Sequence, residues 1–236
     1  MMAVYFVEDK EFIFNQDNRD SDTVSNQSEI TSSSRINDYS DARSLLWSSL
    51  YSGGGNTLYC GEPFDSQQRN GFNVEHVFPM SWVTNSLKCG TRNQCRAKSA
   101  TFNKIEADLH NLYPSRSDVN QARSSFAFAE INGEQRHFGK SCDFEVSERL
   151  RLAEPAPSVR GEVARSMFYM AYQYRQYGLI LFSKQQRLLQ SWHQSDVPSE
   201  HEKARNNKIE KLQGNRNPFI DDPAQLDKLI ADGYFS

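Results

Sequence analysis

The chain of 236 residues is long enough to bury a core, and 37% hydrophobic and 24% charged residues are typical of a soluble globular protein. No apolar run approaches the roughly 20 residues that a membrane-spanning helix needs, which excludes an integral membrane protein of the helical type. Residues 1–15 carry Glu8, Asp9, Lys10 and Glu11 where a secretory signal has its apolar centre, so we expect no signal peptide there.

The net charge of −3 is distributed unevenly along the chain. Residues 1–43 and 219–236 are acidic, whereas residues 44–218 carry 22 basic and 17 acidic side chains. A basic middle is compatible with a polyanionic substrate such as a nucleic acid. A solvated surface of mixed charge explains the same counts equally well.

Residues 1–40 are predicted to form a partly flexible N-terminal arm. Residues 15–38 within it are rich in Ser, Asn, Asp and Thr and contain few large apolar side chains. A first helix is predicted over residues 41–52, and the glycines at 53–55 end it. The apolar stripe of this helix consists of Leu45, Leu46, Trp47 and Leu50.

The centre of the chain combines a short strand with a helix. Residues 73–77 are predicted to form a strand in which Glu75 and His76 point to opposite faces, because side chains alternate along a strand. The two side chains would then have separate tasks. Residues 100–112 are predicted to form a helix that Pro114 ends.

Residues 86–99 and 119–128 are predicted to be loops on either side of that helix. The last third of the chain is predicted to be helical, with helices over residues 158–177, 183–194 and 199–213. The whole pattern predicts an α+β fold, a mostly helical single domain over residues 41–236 with one small distorted sheet near the candidate site.

The four cysteines are an even number, which fits two disulfides in an exported protein. The short separation between Cys89 and Cys95 would close a small loop. Zinc sites of four cysteines usually contain closely spaced pairs, and Cys60 and Cys142 have no close partner in the sequence. Four free thiols are the remaining alternative.

Glu75, His76 and Asn111 together allow hydrolysis of a phosphodiester. Histidine has an unperturbed pKa of about 6.5 and is therefore largely neutral at pH 7, as a general base must be. One carboxylate and one amide oxygen suit Mg²⁺, a hard ion that prefers oxygen ligands. We interpret His76 as the base and Glu75 and Asn111 as the metal ligands. A Glu-His dipeptide also occurs by chance, and a lone histidine is more often structural.

Several stretches of the chain together resemble the bacterial endonuclease I family, secreted or periplasmic nucleases with a ββα-metal (His-Me finger) site. EHVFP and DLHNLYP are the most specific of them. The matching stretches follow the family's order: EHVFP at 75–79, GTRNQC at 90–95, EADLHNLYPS at 106–115, VNQARSSF at 119–126, RGEVARSMFYM at 160–170 and KLQGNRNPF at 211–219.

Carried over by position, the resemblance implies metal ligands at Glu75 and Asn111, the general base at His76 and a phosphate-binding arginine at Arg92. A guanidinium suits that last role because its planar fork holds two phosphate oxygens and stays charged. Arg96 is the alternative if the register of the loop differs.

The remaining polar residues near these motifs are interpreted as structural: Asp108, His110, Asn120 and Arg123. The cysteines lie near the corresponding motifs of the family. We expect a disulfide Cys89–Cys95 that closes the loop carrying Arg92, and a disulfide Cys60–Cys142 that ties the strand region together.

The resemblance implies a metal-dependent, sequence-nonspecific endonuclease that hydrolyses DNA, with RNA as a further substrate, to 5′-phosphate ends. Binding would use the phosphate backbone. Mg²⁺ is the implied metal, with Ca²⁺ or Mn²⁺ as alternatives, and the protein would be a monomer in the periplasm or secreted, without membrane attachment. The alternatives are a hydrolase of other phosphoesters and a nucleic-acid-binding protein on the same scaffold.

Overall fold

The computed structural model describes residues 35–66, 70–133 and 136–235. Most of the predicted N-terminal arm, residues 1–34, lies outside the described residues. The last six residues assigned to the arm already belong to the folded domain, because Ile36 is buried and the main-chain N–H of Arg35 donates to a carbonyl of the C-terminal helical region.

Helices dominate the described part of the chain, which confirms the predicted helical α+β class. The helix predicted over residues 199–213 is present and opens with the predicted capping box, in which Ser199 and Glu202 exchange hydrogen bonds. The α-helices of the described residues are α1 Tyr39–Leu45, α2 Met80–Leu87, α3 Arg92–Lys98, α4 Ala100–Glu106, α5 Ser117–Arg123, α6 Arg160–Gln173, α7 Ser183–Ser195, α8 Glu200–Gln213, α9 Pro218–Asp221 and α10 Pro223–Ala231.

The first helix begins two residues earlier than predicted. The side chain of Asp38 accepts a hydrogen bond from the N–H of Ser40 at 2.6 Å and thereby caps α1. After α1, a π-helical turn over Leu46–Leu50 continues the helix up to the glycines.

The strands are short and form three small sheets in the described residues, rather than the single distorted sheet that we predicted. The strands are β1 Gly55–Asn56, β2 Pro63–Phe64, β3 Phe72–His76, β4 Leu112–Arg116, β5 Ala127–Phe128, β6 Phe144–Ser147 and β7 Leu152–Pro155. β1 pairs with β2 and β3 with β4, both antiparallel, whereas β7 pairs with β5 in parallel and with β6 in antiparallel orientation.

The prediction of one helix over residues 100–112 was wrong. α4 ends at Glu106, and the extended backbone of Asp108 redirects the chain while its carboxylate accepts the N–H of His110. A 3₁₀ turn over Leu109–Asn111 then leads into β4. Apolar residues at helical spacing produced the error, because pairing with β3 outweighs the local preference for helix.

Two segments that we predicted to be loops contain helices. Residues 86–99 include α3, which Thr91 caps with Gln94 in a capping box. Residues 119–128 include most of α5, which follows β4 immediately and packs on both β3 and β4. β3, β4 and α5 therefore form one unit in which an antiparallel pair of strands is followed by a helix.

Two hydrophobic clusters hold this unit in place. The larger cluster surrounds α6, whose Val163, Met167 and Phe168 are fully buried. The smaller one joins α1 to the back of β3 and β4 through Leu46, Val74 and other apolar side chains. β4 contributes Tyr113 to the larger cluster and Leu112 to the smaller one, and Val77, directly after β3, belongs to the larger cluster. The residues at the end of β3 are therefore rigidly placed.

The structure contains both expected disulfides, Cys60–Cys142 and Cys89–Cys95, with Cα–Cα distances of 4.4 Å and 5.0 Å. No cysteine is free in the described part of the chain. The helices there are all too short or too polar to cross a membrane.

Candidate active site

A polar cavity of about 630 Å³ lies at the end of β3. β3, α2, α3 and α5 all contribute side chains to it. The lining residues are Asn73, Val74, Glu75, His76, Pro79, Met80, Ser81, Thr84, Arg92, Ser117, Asn120, Gln121, Ser124 and Ser125. The cavity thus brings together three of the residues singled out in the sequence, namely Glu75, His76 and Arg92.

His76 is the last residue of β3 and is 7% exposed. Its Nε2 lies 3.0 Å from the main-chain oxygen of Glu106. Because a carbonyl only accepts, Nε2 carries the proton and Nδ1 keeps the lone pair. Burial, with a further contribution from the nearby charge of Arg92, lowers the pKa of His76 to about 3. The imidazole is therefore neutral near pH 7 and has one nitrogen free to accept a proton.

Glu75 lies one residue earlier in β3 and has different neighbours, as the alternation of side chains predicted. Its Oε1 accepts a hydrogen bond from the hydroxyl of Tyr59 at 2.7 Å and lies 3.5 Å from Nη1 of Arg123. Burial raises the pKa of Glu75, and the charge of Arg123 and the bond from Tyr59 oppose that shift. Both contacts are made by Oε1, and Oε2 takes part in neither of them.

The structure does not place Asn111 in the cavity, which contradicts its predicted role as a metal ligand. The side chain is fully buried, its Oδ1 accepts the N–H of Phe78 at 2.6 Å, and its Nδ2 donates to the carbonyl of the same residue at 3.1 Å. Both polar atoms are thus used to fix the chain that leaves β3. Asn111 is a structural residue.

Asn120, which the sequence analysis interpreted as structural, lies on α5 and lines the cavity. Its Nδ2 donates to Oδ1 of Asn73 at 2.8 Å and to the carbonyl of Val74 at 3.1 Å. These two bonds fix the amide plane through the nitrogen and do not involve Oδ1, which could therefore serve as a metal ligand. No signal in the sequence pointed to this position, because we predicted residues 119–128 to be a loop and α5 is a feature of the folded structure.

Arg92 and Arg96 share one carboxylate. Oε1 of the buried Glu106 accepts Nε of Arg92 at 2.5 Å. Arg96 binds the same carboxylate through two nitrogens, with Nε at 2.8 Å from Oε2 and Nη2 at 2.9 Å from Oε1. Arg96 therefore binds Glu106 in a bidentate manner through Nε and Nη2. Arg92 lines the cavity and uses only Nε for Glu106, so its terminal nitrogens are not used in this contact.

The cavity contains two side-chain oxygens that could bind one divalent cation. One carboxylate from Glu75 and one amide oxygen from Asn120 form a hard donor set, which suits Mg²⁺ because this ion keeps several waters and needs few protein ligands. The described residues contain no group of three or more His, Cys, Asp or Glu side chains arranged to hold a metal. The residues fit a site with few protein ligands.

The fold and the cavity define an α+β protein in which a pair of antiparallel strands and the following helix present a buried histidine, a carboxylate, an amide and an arginine to one polar cavity. The sequence model of endonuclease I matches residues 5–224. The chain belongs to the endonuclease I family.

Similar proteins have names that agree with this family. A periplasmic deoxyribonuclease of Aeromonas hydrophila is 40% identical over 155 residues, which cover 64% of this chain and 63% of that protein. Endonuclease-1 of Buchnera aphidicola subsp. Acyrthosiphon pisum is 28% identical over 170 residues, covering 70% and 66%. An extracellular ribonuclease of Bacillus subtilis is 32% identical over 137 residues, covering 52% and 46%. The matched region thus spans less than two thirds of the length of the Aeromonas protein.

Proposed function

We propose that the protein is a metal-dependent endonuclease that hydrolyses phosphodiester bonds of DNA without sequence preference. The observation that carries this proposal is the meeting of a neutral buried imidazole, a carboxylate, an amide oxygen and a guanidinium in one polar cavity. Each of these groups has a separate task in phosphodiester hydrolysis. Membership of the endonuclease I family agrees with the proposed function.

His76 is the general base in this proposal. The hydrogen bond from Nε2 to the carbonyl of Glu106 fixes the tautomer, so Nδ1 takes a proton from the attacking water. Burial keeps the ring neutral before this step. The carbonyl of Glu106 then stabilises the positive charge that develops on the imidazole.

Arg92 and the oxygen ligands act on the phosphate. The terminal nitrogens of Arg92 bind a non-bridging phosphate oxygen, while its Nε stays fixed on Glu106. Oε2 of Glu75 and Oδ1 of Asn120 would hold the cation. A bound divalent ion, Mg²⁺ or alternatively Ca²⁺ or Mn²⁺, would offset charge on the phosphate and on the leaving oxygen. Departure of the 3′ oxygen leaves the phosphate on the 5′ end.

The polar lining of the cavity supports a nucleic-acid substrate that is bound through its sugar-phosphate backbone. Besides Arg92 the wall is lined by serines and amides such as Ser117, Gln121 and Ser125, which can contact phosphate and sugar oxygens of any sequence. RNA is proposed as a second substrate, since relatives are named both deoxyribonuclease and ribonuclease.

The proposed location is the periplasm or the outside of the cell. Two disulfides fit an oxidising compartment, and the relatives from Aeromonas are named periplasmic or extracellular. A monomer is proposed, because all the groups that the reaction needs come from one chain.

Incubation with supercoiled plasmid and Mg²⁺ tests the function. We expect nicked and then linear DNA, no reaction with EDTA, and product ends that polynucleotide kinase labels only after phosphatase treatment. Parallel reactions contain Ca²⁺, Mn²⁺ or structured RNA. A shift of the plasmid in a gel without cleavage would indicate a binding protein. Hydrolysis of bis(p-nitrophenyl) phosphate alone would indicate a hydrolase of other phosphoesters.

A further inference from the structure

Tyr39, the first residue of α1, contacts three groups of the catalytic region at once. Its ring centroid lies 5.1 Å from that of His76, with 40° between the ring planes. The guanidinium carbons of Arg92 and Arg96 lie 5.6 Å and 5.4 Å from the centre of the same ring. These contacts join the proposed general base and the proposed phosphate-binding arginine through one aromatic ring.

The position of this ring is fixed by the helix that carries it. The carboxylate of Asp38 caps α1 immediately before Tyr39. Three residues later Ala42 is fully buried, and Leu46 of the following turn is buried in the smaller hydrophobic cluster with Val74 of β3. α1 therefore cannot shift relative to β3 without opening that cluster, and the ring of Tyr39 stays against His76.

The single hydrogen bond to Glu106 does not fix the plane of the His76 imidazole. The bond from Nε2 of His76 to Glu106 fixes one atom of the ring, but the ring can still turn about that contact. An aromatic ring against its face restricts the plane, and so the direction of Nδ1. Arg92 has a similar arrangement, with the carboxylate of Glu106 on its Nε and the π face of Tyr39 beside its guanidinium.

We propose that Tyr39 is a positioning residue for phosphodiester cleavage, whose ring sets the plane of the His76 imidazole and the direction of the Arg92 guanidinium. The inference rests on the proposed nuclease function for its kinetic consequence. It assigns no contact between Tyr39 and substrate, since the cavity wall within the described residues does not include Tyr39. The aromatic face is the required feature, and the hydroxyl is not.

The kinetic test compares Tyr39→Phe, Tyr39→Leu and Tyr39→Ala on plasmid and on a short duplex. Tyr39→Phe keeps the ring and should keep kcat within about threefold of wild type. Loss of the ring in Tyr39→Leu and Tyr39→Ala should lower kcat about 10- to 100-fold with KM nearly unchanged, as displacement of catalytic groups by about an ångström does. Tyr177→Ala, which removes a tyrosine from the surface outside the cavity, is the matched control and should have wild-type kcat.

A second measurement does not depend on activity. The ¹⁵N signals of the His76 ring in metal-free protein should report the Nε2-protonated tautomer in wild type, Tyr39→Phe and Tyr39→Leu, because the bond to Glu106 remains in all three. In Tyr39→Leu alone these signals should be shifted or broadened, because the ring plane is no longer fixed. A folded Tyr39→Leu protein with wild-type kcat and unchanged His76 signals would overturn the proposal. If wild type itself cleaves no DNA with Mg²⁺, the nuclease function fails, and the ring signals still decide whether Tyr39 orients His76.

Discussion

His76 and Glu106 are joined by a 3.0 Å hydrogen bond between Nε2 and the main-chain oxygen, and the carboxylate of that same glutamate holds Arg92. One residue at the end of α4 thus fixes both the proposed general base and the proposed phosphate-binding arginine. Because Glu106 is buried and is the last residue of α4, the end of this helix determines the distance between His76 and Arg92.

His76→Ala should lower kcat by roughly 10²- to 10⁴-fold, which is the usual contribution of a positioned general base. Binding of DNA and Mg²⁺ should be nearly unchanged, since the phosphate contact and the oxygen ligands remain. Cleavage, gel-shift binding and thermal unfolding are measured on the same preparation. A destabilised variant with normal turnover per folded molecule would show that His76 is only structural.

Arg92→Ala and Arg96→Ala form a matched pair, because both arginines bind Glu106 and both contact Tyr39. Only Arg92 of the two lines the cavity. We expect Arg92→Ala to lower kcat by about 10²-fold or more, the cost of removing one donor from developing charge, and Arg96→Ala to lower it by less than tenfold. An equal loss of kcat in the two variants would contradict the assignment of the phosphate contact to Arg92 alone.

Sequence patterns predicted the elements whose signals are local. The capping box at Ser199, the strand that carries Glu75 and His76 and the short loop between Cys89 and Cys95 depend on neighbouring residues only, and the structure contains all three features. The mostly helical α+β class follows from the same local periodicity.

The errors came from residues whose roles depend on tertiary contacts. Asn111 and Asn120 are both polar residues beside apolar ones, and their sequence neighbours do not reveal which amide meets the cavity. The turn at Asp108 determines which of the two amides reaches the cavity. This turn directs the side chain of Asn111 towards the main chain of Phe78, and β4 and α5 follow it. Three buried partners fix that turn from distant segments through hydrogen bonds to the carboxylate of Asp108: Tyr169, Tyr174 and Gln213.

Asn120→Ala should therefore affect activity, whereas Asn111→Ala should affect the stability of the fold. Asn120→Ala should weaken the response to Mg²⁺ and lower kcat by about 10²-fold or more while the protein stays folded, because a catalytic cation is worth several kcal/mol. Asn111→Ala should leave the N–H and C=O of Phe78 unpaired and destabilise the fold by about 1–3 kcal/mol for each. Mg²⁺ titrations and urea unfolding separate the two. A stable, inactive Asn111→Ala protein would restore the original assignment.

Removal of the two disulfides should cost different amounts of stability. In the loop-entropy description, the cost grows with the sequence separation of the two cysteines, which is 6 for Cys89–Cys95 and 82 for Cys60–Cys142. Double serine substitution of the first pair should lower the free energy of unfolding by about 2 kcal/mol, and of the second pair by about 4–5 kcal/mol. Urea unfolding of both variants checks the order, and a larger loss for the short loop would contradict it.

Acid should destabilise the protein through His110. This ring is buried beside Tyr169, its Nε2 donates to the carbonyl of Asn215 at 3.3 Å, and burial lowers its pKa from 6.5 to about 4. The folded state has the lower pKa, so the unfolded chain binds more protons between pH 6.5 and 4. The contribution of His110 is complete above pH 6.5, and its loss is about 2 kcal/mol at pH 5 and about 3 kcal/mol at pH 4.

His110→Gln isolates this contribution. The amide can still donate to Asn215 but does not titrate, so the stability difference between wild type and variant should shift by about 3 kcal/mol in favour of the variant from pH 7 to pH 4. Urea midpoints and slopes across that range give the difference at each pH, with the contributions of the other histidines common to both proteins. Parallel curves for the two proteins would mean that His110 binds its proton equally in the folded and unfolded states.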